Sequence, residues 1–269
     1  MFLLLLLSLL SKDSTGFQHA STVRPRLSMA RAAEEATTAD RAAALEAMRF
    51  CYSSPTAVVA TVWPTAHSEA PAARSWLVDN GARIVYEREV MVDYRGAVPT
   101  CMALYYGEDW LDSNCWYMES PLPEGPPKGP HAGAKWKAAL TFPSNTPPMT
   151  VIVADAADAG GSLWRTKYSI REALRSKVGG LGNCCLHITD DQTTALPAAT
   201  QGGRGGGRGG FACDSSYAFH CARVLLDDGS VAFLNAADPA AENYGENFAR
   251  YASWLASEPG SSQAPGWEV

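Results

Sequence analysis

The residues best suited to chemistry lie in one short segment, Gly182 to Asp191, with the sequence Gly-Asn-Cys-Cys-Leu-His-Ile-Thr-Asp-Asp. It places an imidazole, His187, between a small-residue turn and an acidic turn. An unprotonated imidazole can act as a nucleophile toward a phosphoryl group. The segment therefore suggests, as a hypothesis, chemistry on a phosphate-bearing substrate.

A basic segment precedes this histidine. If Tyr168 to Val178 is helical, the basic residues Lys167, Arg171 and Arg175 lie along one side of the helix, and the apolar residues lie along the opposite side. Cations arranged in this way stabilise phosphoryl oxygens, which fits the hypothesis for the imidazole. The basic residues of the segment are Arg165, Lys167, Arg171, Arg175 and Lys177, and the apolar stripe is Ile170, Leu174 and Val178.

Two simpler interpretations of these residues stay open. His187 can be a strand-end histidine that is hydrogen-bonded to Thr189 or Asp190, with the basic ladder as a solvated helix face. The Cys184-Cys185-x-His187 cluster can also ligate zinc, although adjacent ligands lack the usual spacing of a zinc site. A strand whose small residues alternate in direction explains the two cysteines equally well.

Composition limits the classes of protein to consider. The chain has 269 residues, 46% of them hydrophobic, which suits one domain with extensions. Its net charge of −6 gives no global electrostatic reason to bind nucleic acid, so any phosphate binding must be local. The seven cysteines include no Cys-x-x-Cys pair, and we expect them to be mostly reduced.

The first 33 residues are typical of a targeting leader. Met1 to Leu10 is almost all leucine, as in a signal peptide, and residues 17–31 carry Arg, Ser and Thr without an acid, as in a transit peptide. Together they resemble the bipartite plastid-targeting leaders of algae with secondary plastids. We predict plastid localisation, with secretion as the alternative, and no membrane association after the leader is removed.

The rest of the chain predicts an α+β domain at residues 55–258, preceded by a peripheral helix at 34–54 and followed by a disordered tail at 259–269. Two β-α-β units with their helices on one face predict a split β-α-β, ferredoxin-like sandwich with an antiparallel sheet. The predicted strands are residues 57–63, 83–92, 149–154, 184–188 and 230–234. The predicted helices are residues 68–80, 98–110, 168–178, 215–226 and 239–256.

Two segments interrupt the predicted domain. Residues 113–148 are rich in proline and predict an irregular excursion that either reaches over the site or only connects elements. Residues 200–212 are rich in glycine but lack the Gly-Lys-Ser/Thr ending of a P-loop, which favours a flexible insertion over a phosphate or RNA contact. The basic side chains of the proline-rich segment are Lys128, His131, Lys135 and Lys137.

The order of these motifs resembles the nucleoside diphosphate kinases over roughly residues 55–225. A predicted strand leads into Trp63-Pro64-Thr65-Ala66, where that family has Lys-Pro-Asp-Ala, and an Ile-Arg pair ending at Arg171 follows. The segment around His187 takes the place of the family's Asn-x-x-His-Gly-Ser-Asp-Ser, whose histidine is phosphorylated. The resemblance implies ping-pong transfer of a phosphoryl group, through a phosphohistidine, from a nucleoside triphosphate to a nucleoside diphosphate.

The same resemblance implies roles for individual residues. His187 is the phosphate acceptor, Thr189 and Asp190 orient its imidazole, and Tyr105 or Tyr106 stacks on the base. Mg²⁺ arrives with ATP, nucleotides are the partners, and a homo-oligomer is left open. The phosphate-binding candidates are Arg165, Lys167, Arg171 and Arg175.

Some positions depart from the family pattern. Trp63 replaces the lysine that contacts the phosphate, Thr65 replaces the aspartate, and Cys184 stands three residues before His187 in place of an asparagine. Removing one charge-stabilising donor commonly costs about a hundredfold in rate. The alternative functions are therefore a catalytically inactive nucleotide-binding module of the same fold, or a regulatory scaffold.

Overall fold

The structure is a computed structural model. It describes residues 24–106, 109–111, 127–143, 147–179, 184–189, 217–255, 257, 259–260 and 264–266. Residues 1–40 and residues 41–269 form two separate units. The glycine-rich insertion, the first 23 residues of the predicted leader and the middle of the proline-rich segment lie outside the described residues.

Four strands form one antiparallel sheet in the order β2-β3-β1-β4. The strands are β1 (Ala57–Val62), β2 (Arg83–Val90), β3 (Met149–Asp155) and β4 (Leu186–Ile188). The two central strands, β1 and β3, are continuous apolar runs and are buried almost throughout, as such runs predict. In the register Thr61 lies opposite His187 and Val59 lies opposite Val153. The first four predicted strands are confirmed.

Eight helices are present in the described residues. They are α1 (Arg24–Ser53), α2 (Ala70–Asp79), α3 (Ala97–Leu104), α4 (Ala132–Thr141), α5 (Ser162–Val178), α6 (Tyr217–Leu226), α7 (Asp228–Ala236) and α8 (Tyr244–Leu255). Short 3-10 helices occupy Pro64–Glu69 and Asp109–Leu111. Gly179 follows α5 at φ 74°, the left-handed conformation in which helices commonly end at glycine.

Helices pack on both faces of the sheet. Helices α2 and α5 pack on one face, which we call the aliphatic face; its buried residues include Val62, Leu77, Leu174, Leu186 and Ile188. Helices α3, α4, α6, α7 and α8 and the end of α1 pack on the other, which we call the histidine face. Because successive residues of a strand point to opposite faces, β4 sends Leu186 and Ile188 to the first face and His187 to the second.

Three predictions for these elements were wrong. Residues 230–234 belong to helix α7 and not to a strand, because the Asp227 carboxylate caps a helix there by accepting from the amides of Gly229 and Ser230. The helix predicted as peripheral instead buries Ala44, Ala47, Met48 and Cys51 in the core. The excursion predicted as irregular contains helix α4, which packs beside α3.

Candidate functional site

His187 is buried, with 7% of its surface exposed. Within the described residues strand β4 pairs with β1 alone, so it is an edge strand of the sheet. Helix α3 brings Tyr105 to one side of the imidazole and helix α6 brings Tyr217 to the other. Both rings meet the imidazole edge to face, with centroids 5.0 and 5.8 Å away.

We assign the tautomer of His187 from its tyrosine partners. The Tyr217 hydroxyl lies 3.0 Å from the Leu104 carbonyl and 3.2 Å from His187 Nε2. Because the carbonyl can only accept, we give it the hydroxyl proton, and the hydroxyl oxygen then accepts from Nε2. The imidazole therefore carries its proton on Nε2. Its Nδ1 is left as the basic nitrogen, and it accepts from the Tyr105 hydroxyl at 3.2 Å.

The Tyr105 hydroxyl is suited to this donor role. Burial raises the pKa of the Tyr105 phenol well above its ordinary value, and the nearby Arg171 guanidinium offsets only part of that rise. The phenol therefore stays protonated at neutral pH. The family resemblance implies that Tyr105 or Tyr106 stacks on the base; in the structure the Tyr105 hydroxyl lies 3.2 Å from His187 Nδ1.

Helix α6 presents a second set of polar groups to the same region. Tyr217, His220 and Cys221 follow an i, i+3, i+4 spacing, which puts them on one side of the helix. The Cys221 sulfur lies 4.0 Å from His187 Nε2, and the His220 Nε2 lies 2.7 Å from the Ala103 carbonyl, to which it donates. Burial lowers the pKa of His220 to about 4, so this second imidazole is neutral and has a structural role.

Lys137 brings a basic side chain close to Tyr105. It lies on α4 with 3% of its surface exposed, and its Nζ is 5.3 Å from the Trp63 ring centroid and 5.8 Å from the Tyr105 ring centroid. Burial lowers the pKa of Lys137, while the neighbouring thiols of Cys184 and Cys101 act in the opposite direction. This lysine thus places an ammonium group on the histidine face.

The basic ladder of α5 does not act as a unit. Arg171 donates from Nε to the Leu186 carbonyl at 3.0 Å, next to His187, and its charge acts on both Tyr105 and Lys137. Three other cations of the ladder have contacts elsewhere. Arg165 donates to the Gly160 carbonyl, Arg175 forms an exposed ion pair with Glu172, and Lys167 lies over the Tyr168 ring.

Thr189 has a different partner from the one expected. Its hydroxyl accepts from the Val59 amide at 3.0 Å, and its own amide donates to the Val59 carbonyl at 3.0 Å. Thr189 therefore extends the pairing of β4 with β1 and does not orient the imidazole. Asp190, the other residue expected to do so, lies outside the described residues.

The cysteines near the site are inert thiols. Cys51, Cys101, Cys184, Cys185 and Cys221 are buried and form no disulfide, as expected for these five. Burial raises the pKa of Cys101 to about 12 and that of Cys185 to about 11. Because the thiolate is the reactive form, a cysteine nucleophile does not fit this site.

The sequence offers Lys137 only as one of four basic side chains of the proline-rich segment, and it does not single out Tyr217. A signal for Lys137 exists, because it lies on the stripe Ala134, Lys137, Ala138 and Thr141, whose other members are small enough for a core. The signal for Tyr217 is its spacing from His220 and Cys221, which marks one helix face. Neither pattern shows that Tyr217 contacts His187 or that Lys137 lies near Tyr105, because these contacts join residues far apart in the chain.

Two features are absent from the described residues. No three His, Cys, Asp or Glu side chains are grouped there so as to hold a metal ion. None of the helices found there combines the length and the apolar character needed to cross a bilayer.

Comparison of the chain with protein-family models, with curated proteins and with solved structures found no match.

Proposed function

We propose that the histidine face carries out nucleoside diphosphate kinase-like phosphotransfer, with His187 Nδ1 as the phosphate acceptor. The observation that carries the proposal is the hydrogen-bond network of the imidazole. Tyr217 holds the proton on Nε2, and so Nδ1 keeps its lone pair. A neutral imidazole fixed in one tautomer is the form that a nucleophilic histidine requires.

The order of the elements supports the same proposal. Apart from α3 and α4, which lie between β2 and β3, the elements follow the order β1-α2-β2-β3-α5-β4, and neighbouring strands of the sheet β2-β3-β1-β4 are antiparallel. This order supports a split β-α-β, ferredoxin-like sandwich. It brings β4, with its histidine, beside β1. We propose that this sandwich is the nucleoside diphosphate kinase-like domain that the motif order suggests.

In the proposed reaction the substrate is ATP with its Mg²⁺. His187 Nδ1 attacks the γ-phosphorus, the bond from that phosphorus to the bridging oxygen breaks, and ADP leaves with the bond's electron pair. A nucleoside diphosphate then takes the phosphoryl group from Nδ1 and restores the free imidazole. Before the attack, the Tyr105 hydroxyl must turn away from Nδ1, because it occupies the position that phosphorus takes.

The test uses the full chain, γ-labelled ATP and Mg²⁺. The proposal predicts acid-labile, alkali-stable label on the wild type and none on His187→Ala. His131→Ala is the matched control, since this half-buried histidine lies at the start of α4, against the Tyr244 ring, and should leave the label in place. A wild type that takes no label, or an equal label on His187→Ala, would reject phosphotransfer through His187.

One observation favours a second candidate, a nucleotide-binding module of the same fold without turnover. Both nitrogens of His187 have tyrosine partners and the ring is almost wholly buried. If Tyr105 does not move, the imidazole is a structural link between β4, α3 and α6. ATP binding seen by calorimetry, without phosphohistidine, is the result expected of this module.

Localisation and assembly are part of the proposal only as predictions from the sequence. Delivery to a plastid rests on the composition of the leader, and a homo-oligomer rests on the family resemblance. Imaging of a fluorescent fusion to residues 1–33 checks the first, and sedimentation of the mature chain checks the second.

A further inference from the structure

At the end of β1, two hydrogen-bond donors are buried without a partner among the described residues. The Thr61 hydroxyl and the Trp63 indole N–H belong to residues with no exposed surface, and neither makes a hydrogen bond to a described residue. Native structures rarely leave a buried donor in this state without a compensating group. Two such donors two residues apart suggest that a ligand supplies the missing acceptor.

The two donors lie on the same side of the sheet as His187. Thr61 lies opposite His187 in the register of β1 and β4, and the side chains of directly opposite residues share a face. Trp63 keeps an extended backbone, with φ −70° and ψ 156°, and its amide donates to the Cys185 carbonyl at 3.0 Å. The alternation of β1 therefore continues to Trp63, which packs in the core of the histidine face.

Lys137 brings a basic group to the Trp63 ring. Its Nζ lies 5.3 Å from the centroid of that ring, and its side chain is 3% exposed. A buried ammonium group is stabilised by a nearby negative charge, because desolvation otherwise favours its neutral form. Burial lowers the pKa of Lys137 for this reason.

We propose that Thr61, Trp63 and Lys137 form an internal oxyanion site next to His187, built for a tetrahedral phosphate-like anion. The indole N–H and the ammonium group can only donate, so the ligand must be an acceptor. A negative ligand also suits the cation. The site deepens the proposed function and rests on it only in assigning the anion to the phosphoryl group that His187 receives.

The test is the binding of inorganic phosphate to the full chain, followed by calorimetry and by the thermal unfolding midpoint. Phosphate should raise the midpoint of the wild type in a saturable way, because a ligand of the folded state stabilises it. Lys137→Met should weaken the binding by about tenfold or more, since it removes the charge-assisted contact. Lys135→Met, two residues away on α4 and only half-buried, is the matched control and should bind as the wild type does.

Two further variants protect the test against a folding defect. Thr61→Val keeps the shape of the side chain and removes only the hydroxyl, and Trp63→Phe keeps an aromatic ring and removes the N–H. Each should weaken phosphate binding without unfolding the chain. In phosphate-free buffer Lys137→Met should be at least as stable as the wild type, since replacing a buried charge by an apolar group of similar size is often neutral or favourable.

The outcomes separate this site from the proposed function. No saturable effect of phosphate on the wild type, or an equal effect on Lys137→Met, overturns the oxyanion site. Phosphate binding that depends on Lys137, without label on His187, keeps the site and rejects phosphotransfer. If His187 is labelled but Lys137→Met binds phosphate as well as the wild type does, phosphotransfer through His187 is supported and the oxyanion site is rejected.

Discussion

The two faces of strand β4 differ sharply although they share three residues of backbone. On the aliphatic face, Leu186 and Ile188 pack with side chains such as Leu77 and Leu174. On the histidine face, the intervening His187 meets two tyrosine hydroxyls and a thiol. The aliphatic packing stabilises the sheet, while the buried polar groups opposite cost free energy unless each has its partner. Both faces contribute apolar core, and the comparison places the buried polar groups of the proposed site on the histidine face.

The largest effect is expected on the aliphatic face. Leu77 has no exposed surface, so Leu77→Ala should lower the free energy of unfolding by about 2–5 kcal/mol through lost burial and the cavity left behind. Urea unfolding measures this change. Val78→Ala, at an adjacent position that is 48% exposed, is the control and should change stability by about 0.5 kcal/mol or less. Equal losses in the two variants would contradict the role given to this face.

The next effect depends on pH and belongs to the histidine face. Folding lowers the pKa of His220 from 6.5 to about 4. Between these two pH values, the His220 imidazole is therefore protonated to a greater extent in the unfolded chain than in the folded chain. Stability from this group is present above pH 6.5 and is lost as pH falls toward 4, by about 3 kcal/mol at most, at 1.36 kcal/mol per pKa unit. Urea unfolding at several values between pH 7 and 4.5 follows the loss.

A variant without the titrating group identifies the source of this pH dependence. His220→Leu should flatten the stability profile between pH 7 and 4.5, and His131→Gln should keep the slope of the wild type. The range stays above pH 4.5 because Asp155 and Asp228, whose pKa values are lowered by their hydrogen-bond partners, lose their contribution only at lower pH. An unchanged slope in His220→Leu would show that another group is responsible.

The two tyrosines allow a finer comparison within the histidine face. Tyr217→Phe leaves both the Nε2 proton of His187 and the Leu104 carbonyl without their partner, and it should cost about 1–3 kcal/mol. Tyr105→Phe removes only the donor to Nδ1 and should cost less. It should also speed the labelling of His187, because the Tyr105 hydroxyl then no longer covers Nδ1. A larger loss of stability in Tyr105→Phe than in Tyr217→Phe would contradict the tautomer assigned here.

The smallest effects concern the basic ladder of α5. Arg171→Gln removes the charge that acts on Tyr105 and Lys137, and it should slow the labelling of His187. Arg175→Gln breaks only an exposed ion pair with Glu172, so it should change neither labelling nor the unfolding midpoint measurably. Rates of label incorporation measured side by side test this contrast, and equal rates would remove Arg171 from the site.

The sequence predicted the sheet better than the helices of the histidine face. The apolar runs of β1 and β3 admit one interpretation, because they are short and bounded by Pro64, Pro148 and Asp155. The segment at residues 230–234 is equally short and apolar but is a helix, and the capping Asp227 that decides the matter was overlooked. Short apolar runs do not distinguish the two structures by themselves.

The candidate site was only partly predictable for a related reason. His187 and Arg171 stand out in the sequence because their neighbours form a recognisable motif order. Lys137 does not, because a lysine is rarely buried and its environment comes from Trp63 and Tyr105, which are distant along the chain. Contacts of this kind follow from the packing of α3 and α4 on the sheet and not from any local pattern.

The most direct test of the account is the ¹⁵N NMR spectrum of the His187 ring, recorded before and after addition of ATP with Mg²⁺. We expect a proton on Nε2 and an unprotonated Nδ1 in the resting protein. After addition of ATP with Mg²⁺, we expect coupling of Nδ1 to phosphorus. The assignment is made by comparison with His187→Gln, in which these signals vanish. A resting proton on Nδ1, or a ring spectrum that ATP leaves unchanged, would contradict the claim that the histidine face carries the chemistry.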